Sequence, residues 1–152
     1  MDVKRMIRRW ESSRAAMRKL AHAVPQGKEG FRPAEGSMSV GEMILHVLSG
    51  EKTAVDAFTV TPGVWEWQTG LDIEHYPTIG SIIEAMDRQT GATRAHFLTL
   101  SDADLAQTVK LPWGAEWTLD DLWYEWTVHE IHHRGSIITA LRMIGTAPPN
   151  LY

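Results

Sequence analysis

The chain of 152 residues contains no cysteine. That excludes disulfides, thiolate ligands and an internal thiol nucleophile, so any metal must be held by histidine and carboxylate. An external thiol stays admissible as a substrate. Nowhere does the chain hold the run of about 18 apolar residues that a membrane span needs. Met1 to Trp10 alternates charged with apolar residues instead of carrying the apolar core of a secretion signal, which makes the cytoplasm the expected location. Positive charge is not in excess either. Fifteen Lys and Arg against nineteen Asp and Glu give a net charge of −4, which offers a nucleic acid or other polyanion no electrostatic footing. Repeats and low-complexity tracts are absent.

What is present is the composition of an ordinary soluble domain, 43% hydrophobic and 22% charged. A folded chain of this length buries roughly 70% of its unfolded-state surface, enough for one core, so residues 1–152 are expected to form a single domain. Val3, Met6, Ile7, Trp10, Met17, Leu20, Ala21 and Val24 recur at helical spacing and predict a first amphipathic helix over about residues 2–24. Pro25, Gly27, Gly30, Pro33 and Gly36 then break the pattern, leaving Phe31 in a loop able to arch over a site. Ser39 with Glu42 forms a capping box that opens a second helix to about residue 60. The stretch 61–77, with Trp65 and Trp67, is longer than a helix–helix turn requires and long enough to cross a bundle. The two tryptophans have no assigned role. A third helix is expected from about Thr78 to Leu100, with Thr93, Phe97 and Leu100 inward and His96 without an evident partner. Pro112 and Gly114 suggest a small hairpin within 101–117. Thr118 with Asp121 caps a last helix reaching Ile144, where Gly145 takes the left-handed end position before Pro148 and Pro149. Four amphipathic helices with little strand pattern point to an all-α, antiparallel four-helix bundle.

The chemistry concentrates in Val128-His129-Glu130-Ile131-His132-His133-Arg134-Gly135. His129 and His133 are four apart, so on a helix they share one face and reach one ion together, while His132 points aside. Both fall inside the apolar stripe of Leu122, Trp123, Trp126, Ile137 and Leu141. Imidazoles facing a core cost free energy unless bonded or coordinated, and two side by side repel if protonated. A structural pair bonded to neighbouring side chains is the plainer alternative; metal binding answers both costs at once. His46 borders the core face of the second helix and becomes the natural third ligand, since a long-range His with an i, i+4 pair binds zinc or nickel with positions left open. Retention of the metal should weaken below about pH 6, where free imidazole protonates. Gly135, a glycine inside a helical stretch, is expected to admit the backbone of another helix beside the ligands.

His129-Glu130-Ile131-His132-His133 also satisfies H-E-x-x-H, in which the Glu is the general base of a zinc peptidase. Against that alternative, the 19 residues after His133 contain no His, Asp, Glu or Cys to complete the ligand set. No strand-rich region is available to align a peptide either.

His46, then His129-x-x-His132-His133-Arg134-Gly135, then Leu141-Arg142-Met143-Ile144-Gly145 and Pro148-Pro149, together resemble the DinB/YfiT-like family over nearly the whole chain. Position by position, His46, His129 and His133 match the family's metal triad, His132 a non-ligand position, and Arg134 and Gly135 the residues that follow. Ser136 stands where many members have Gln. The resemblance implies a homodimeric bundle holding zinc, nickel or a similar divalent ion. It further implies a thiol-dependent S-transferase or isomerase that uses a low-molecular-weight thiol on a small electrophile. A metal-binding stress protein without turnover is the alternative of a different class. Residues 25–38 and 101–117 are the candidate pocket walls.

Overall fold

The computed structural model describes residues 2–151. Four helices carry the chain: α1 (Val3–Ala23), α2 (Val40–Thr59), α3 (Ile79–Phe97) and α4 (Leu119–Met143). Before α4 stands a hairpin of β1 (Thr108–Lys110) and β2 (Glu116–Thr118), antiparallel with Thr108 opposite Thr118 and Lys110 opposite Glu116. The all-α bundle with its small hairpin is therefore as expected.

Local chemistry explains the helix ends. Ser39/Glu42, Thr78/Ser81 and Thr118/Asp121 are each reciprocal capping boxes. Gly145 has φ +80°, and the Gly145 and Thr146 amides donate to the Arg142 and Leu141 carbonyls at 3.1 and 2.9 Å, the paired bonds that close a helix on a left-handed glycine. α3 stops earlier than its pattern suggests. Thr99 and Leu100 donate to carbonyls only three residues back, at 2.9 and 3.2 Å, so the chain tightens and leaves the helix before Leu100 can face inward fully.

Two apolar clusters fix the helix directions. One joins the end of α1 (Met17, Leu20) and of α4 (Ile137, Leu141) to the start of α2 (Ile44, Leu48) and of α3 (Ile82, Met86). The other joins the start of α1 (Met6, Trp10) and of α4 (Leu122, Trp123) to the end of α2 (Ala54, Val55) and of α3 (Phe97). Hence α1 runs parallel to α4, and α2 parallel to α3, with the two pairs opposed. This corrects the expectation of a simply antiparallel bundle. Helices packed most extensively are α1 with α4, α2 with α3, α1 with α3 and α2 with α4, so consecutive α1 and α2 sit on a diagonal, as do α3 and α4. The length of the 61–77 stretch now has a cause: to start α3 parallel to α2, the chain must travel back along the whole bundle. Ser49 and Thr69 hydroxyls at 2.7 Å, and the Thr53 hydroxyl donating to the Glu66 carbonyl at 2.7 Å, pin that return to α2. Trp65 packs against the second cluster, 6.3 Å from Phe58, and stacks on the exposed Trp67.

Between the clusters lies a buried polar layer. Arg14 Nη2 meets Glu51 Oε2 at 2.7 Å and Glu130 Oε2 at 2.9 Å, and its Nη1 donates to Thr90 at 3.0 Å. Trp10 Nε1 (2.8 Å) and Thr93 Oγ1 (2.5 Å) also donate to Glu51. One cation thus ties all four helices. A buried charge of either sign would be expelled or neutralised without such partners.

Candidate metal centre

His129 and His133 stand on successive turns of α4, and the antiparallel packing of α2 brings His46 against them. His129 Nε2 lies 3.1 Å from His46 Nε2 and 3.1 Å from His133 Nε2. Ring centroids are 4.6–5.0 Å apart. His133 is buried, His129 half-buried and His46 exposed, so the cluster is anchored in the core and open on the α2 side. His132 is exposed and only edges the His133 ring, outside the cluster.

The donor set fits a cation. A neutral imidazole Nε2 is either donor or acceptor. With three Nε2 atoms converging, one N–H satisfies one neighbour and leaves lone pair facing lone pair elsewhere. Nitrogens each about 2.1 Å from one ion, at about 90–110° to each other, would stand about 3.0–3.4 Å apart, the spacing present at both contacts. Protonation is suppressed as well. Burial, reinforced by the neighbouring rings, lowers His133 to about 4, and it also lowers His129; partial desolvation lowers His46. The three residues therefore offer neutral rings that could hold a metal ion.

Other expectations fare differently. Glu130, the residue an H-E-x-x-H peptidase would use as general base, is buried and held by Arg14, and burial pushes its carboxyl above the usual range. Gly135 admits no helix: it is exposed, and a Cβ there would meet nothing within 4 Å. The close approach occurs at Gly41 instead, where a Cβ would lie 3.2 Å from the Glu29 carbonyl oxygen and 2.9 Å from Ile82 Cδ1. Residues 25–38 fold onto the first turn of α2 through Phe31 and Glu29 carbonyls, which accept from Val40 and Gly41 at 3.0 and 2.8 Å. Residues 101–117 pack on the second cluster through Leu105 and Leu111. The loop tied beside His46 is 61–77, through Ser49 and Thr69, one turn along α2. Trp126, one turn before His129, places its indole nitrogen 3.5 Å from where a Cβ of Gly50 would stand, forming the layer beneath the triad. The spacings of Trp126 to His129 and Gly50 to His46 are visible in the sequence, but their meeting depends on the α2/α4 crossing.

Comparison with known proteins agrees with this architecture. The family model described as DinB superfamily matches residues 9–137. A DinB-like protein from Bacillus subtilis has a crystal structure that superposes with a TM-score of 0.74 at 21% identity, covering 97% of both chains. Another DinB-like protein, from Bacillus cereus, gives 0.79 at 15% identity, covering 99% of this chain and 98% of its own. At such identities the likeness speaks for the fold alone. No curated protein matches. With the model spanning most of its length, the chain belongs to the DinB superfamily.

Proposed function

We propose that His46, His129 and His133 hold one divalent ion, zinc or nickel, and that the protein is a metal-dependent S-transferase or isomerase joining a low-molecular-weight thiol to a small electrophile. The observation that carries this reading is the convergence of three imidazole Nε2 atoms, from two helices, on one point. A bound ion would supply Lewis acidity that lowers the pKa of a thiol. The chain's own part is to keep its rings neutral by burial and to leave the His46 side open to an incoming thiol. Because the chain has no cysteine, the thiol must come from outside. As the family resemblance implies, the working unit is a homodimer; the chain's length and the alternation of charged with apolar residues over Met1 to Trp10 support a single domain per copy, placed in the cytoplasm. No helix among the described residues is long and apolar enough to cross a membrane.

The test is conjugate formation from glutathione, bacillithiol, mycothiol and simple thiols with an epoxide, an activated alkene or an alkyl halide, recording metal content alongside rate. Wild type should show a metal-dependent rate that His46→Ala and His129→Ala lose together with the metal, while His132→Ala keeps both. A metal-loaded protein without rate on any pair would be a non-catalytic metal binder. Peptide cleavage lost in Glu130→Gln would instead make it a hydrolase.

A further inference from the structure

A cavity of about 590 Å³ lies between α1 and α4, within the size range of small-molecule sites. It occupies the other flank of α4 from the triad. Ile131, on its wall, is about 200° around the helix from both His129 and His133. The site is therefore independent of the proposed metal chemistry.

Arg134 gives the cavity its character. The residue is only 8% exposed, it lines the cavity, and its Nε is buried with no hydrogen-bond partner. Among the described residues its guanidinium enters no ion pair. Glu130, one turn back on the same helix, meets Arg14 through Oε2; its Oε1 is buried without a hydrogen-bond partner and forms no ion pair with Arg134. Asp120, the carboxylate lining the same cavity, sits about four turns away along α4 and cannot reach it. The buried Nε thus lacks any partner, and the planar fork of a guanidinium matches a carboxylate in bidentate fashion. Trp123 lines the far end of the cavity, about three turns along α4 from Arg134 and too distant to share one carboxylate with it. Arg5 and Arg8 line the end of the cavity beside Trp123, because α1 runs parallel to α4, whereas Met6, Ala16, Val128, Ile131 and Leu151 make the remaining wall apolar. We propose that this cavity binds a small amphipathic carboxylate, its head on Arg134 and its apolar body along Trp123, Val128 and Ile131.

Decanoate is a suitable probe, added to the zinc-loaded full chain and followed by calorimetry and by tryptophan fluorescence, with decanol and inorganic phosphate as controls. Saturable binding of one decanoate per chain is expected, with decanol and phosphate at least tenfold weaker. Arg134→Met should weaken decanoate at least tenfold with zinc content unchanged. If that variant fails to fold, Ile131→Trp, which fills the wall from an exposed position, should weaken decanoate instead. The proposal is overturned by no saturable binding, by equal affinity for decanol, or by phosphate binding as tightly as decanoate. Undiminished binding in the folded variants also overturns it. So does a dimer that Ile131→Glu dissociates in sedimentation while wild type takes up no decanoate, since a second copy would then fill the cavity.

Discussion

The Nε2 atoms of His46 and His129, 83 positions apart in sequence, stand 3.1 Å apart. Helical spacing alone supplies the His129/His133 half of the cluster, and only the α2/α4 crossing supplies the rest. Losing a residue that merely orients a ligand costs a metal site about 10–100-fold in affinity, so losing a ligand should cost more. His46→Ala and His133→Ala should therefore lower zinc affinity by more than about 100-fold, and His132→Ala should leave it unchanged. Competition against a chromophoric chelator measures this; equal affinity in wild type and His46→Ala would exclude His46 as a ligand.

The pH dependence follows from the lowered imidazoles. Burial holds His133 at about 4 and depresses His129 and His46 from the ordinary 6.5. When the folded value lies below the unfolded one, the unfolded chain takes up protons first as pH falls. Metal-free protein should thus be fully stable above about pH 6.5 and lose stability from there down towards pH 4. In the folded chain the same depression delays proton competition for the metal. Zinc should be retained at pH 6, below which free imidazole would already yield, and released on approach to pH 4. Equilibrium dialysis and thermal unfolding across this range check both halves; release of zinc already complete at pH 6 would contradict the burial of His133.

Much of the fold is legible in the sequence because helix periodicity and caps are local. Ser39/Glu42 and Thr118/Asp121 mark their helix starts, and Gly145 marks an end. Helix direction is not local, and nothing in residues 61–77 states that they run back along α2. The site divides in the same way. The i, i+4 histidines are written in one turn, and His46 is recoverable as an odd polar residue beside an apolar stripe. The Arg14 layer left a fainter trace. Glu51, three positions after Leu48 and four before Val55, and Arg14, between Trp10 and Met17, are charges at core positions of their helices. Which charge meets which is set by tertiary packing. Gly135 misled for a related reason, since a glycine in a helix does not reveal which neighbour, if any, is close.

That polar layer makes a strong prediction. Removing Arg14 leaves Glu51 and Glu130 buried together with no cation between them. Breaking a buried pair from one side costs about 3–5 kcal/mol, whereas neutralising both sides costs far less. Arg14→Met should fall in that range by urea denaturation. Adding Glu51→Gln and Glu130→Gln should recover most of the loss, because the one amide oxygen of glutamine at 51 can still accept from Trp10 while its NH2 donates to the Thr93 hydroxyl. A triple variant no more stable than Arg14→Met would show that the layer matters for shape and not for charge.

Two glycines should respond in opposite directions to the same added methyl. Gly135 sits on the exposed side of α4 with nothing within 4 Å of a new Cβ. Alanine there removes a helix-interior glycine, worth about 1 kcal/mol in favour of the folded state. At Gly41 the new Cβ would stand 2.9 Å from Ile82 Cδ1, 3.1 Å from Ile73 Cδ1 and 3.2 Å from the Glu29 carbonyl oxygen. The isoleucine tips can turn aside. The carbonyl cannot do so freely, because it accepts the Gly41 amide at 2.8 Å and holds residues 25–38 onto the first turn of α2. Overpacking of this kind costs about 1–3 kcal/mol. Gly135→Ala should raise the thermal midpoint and Gly41→Ala lower it, with hydrogen exchange at the Gly41 amide accelerated in the second. A destabilising Gly135→Ala would mean that α4 is covered on that side by a partner, and a neutral Gly41→Ala that the 25–38 loop yields more readily than its hydrogen bonds indicate.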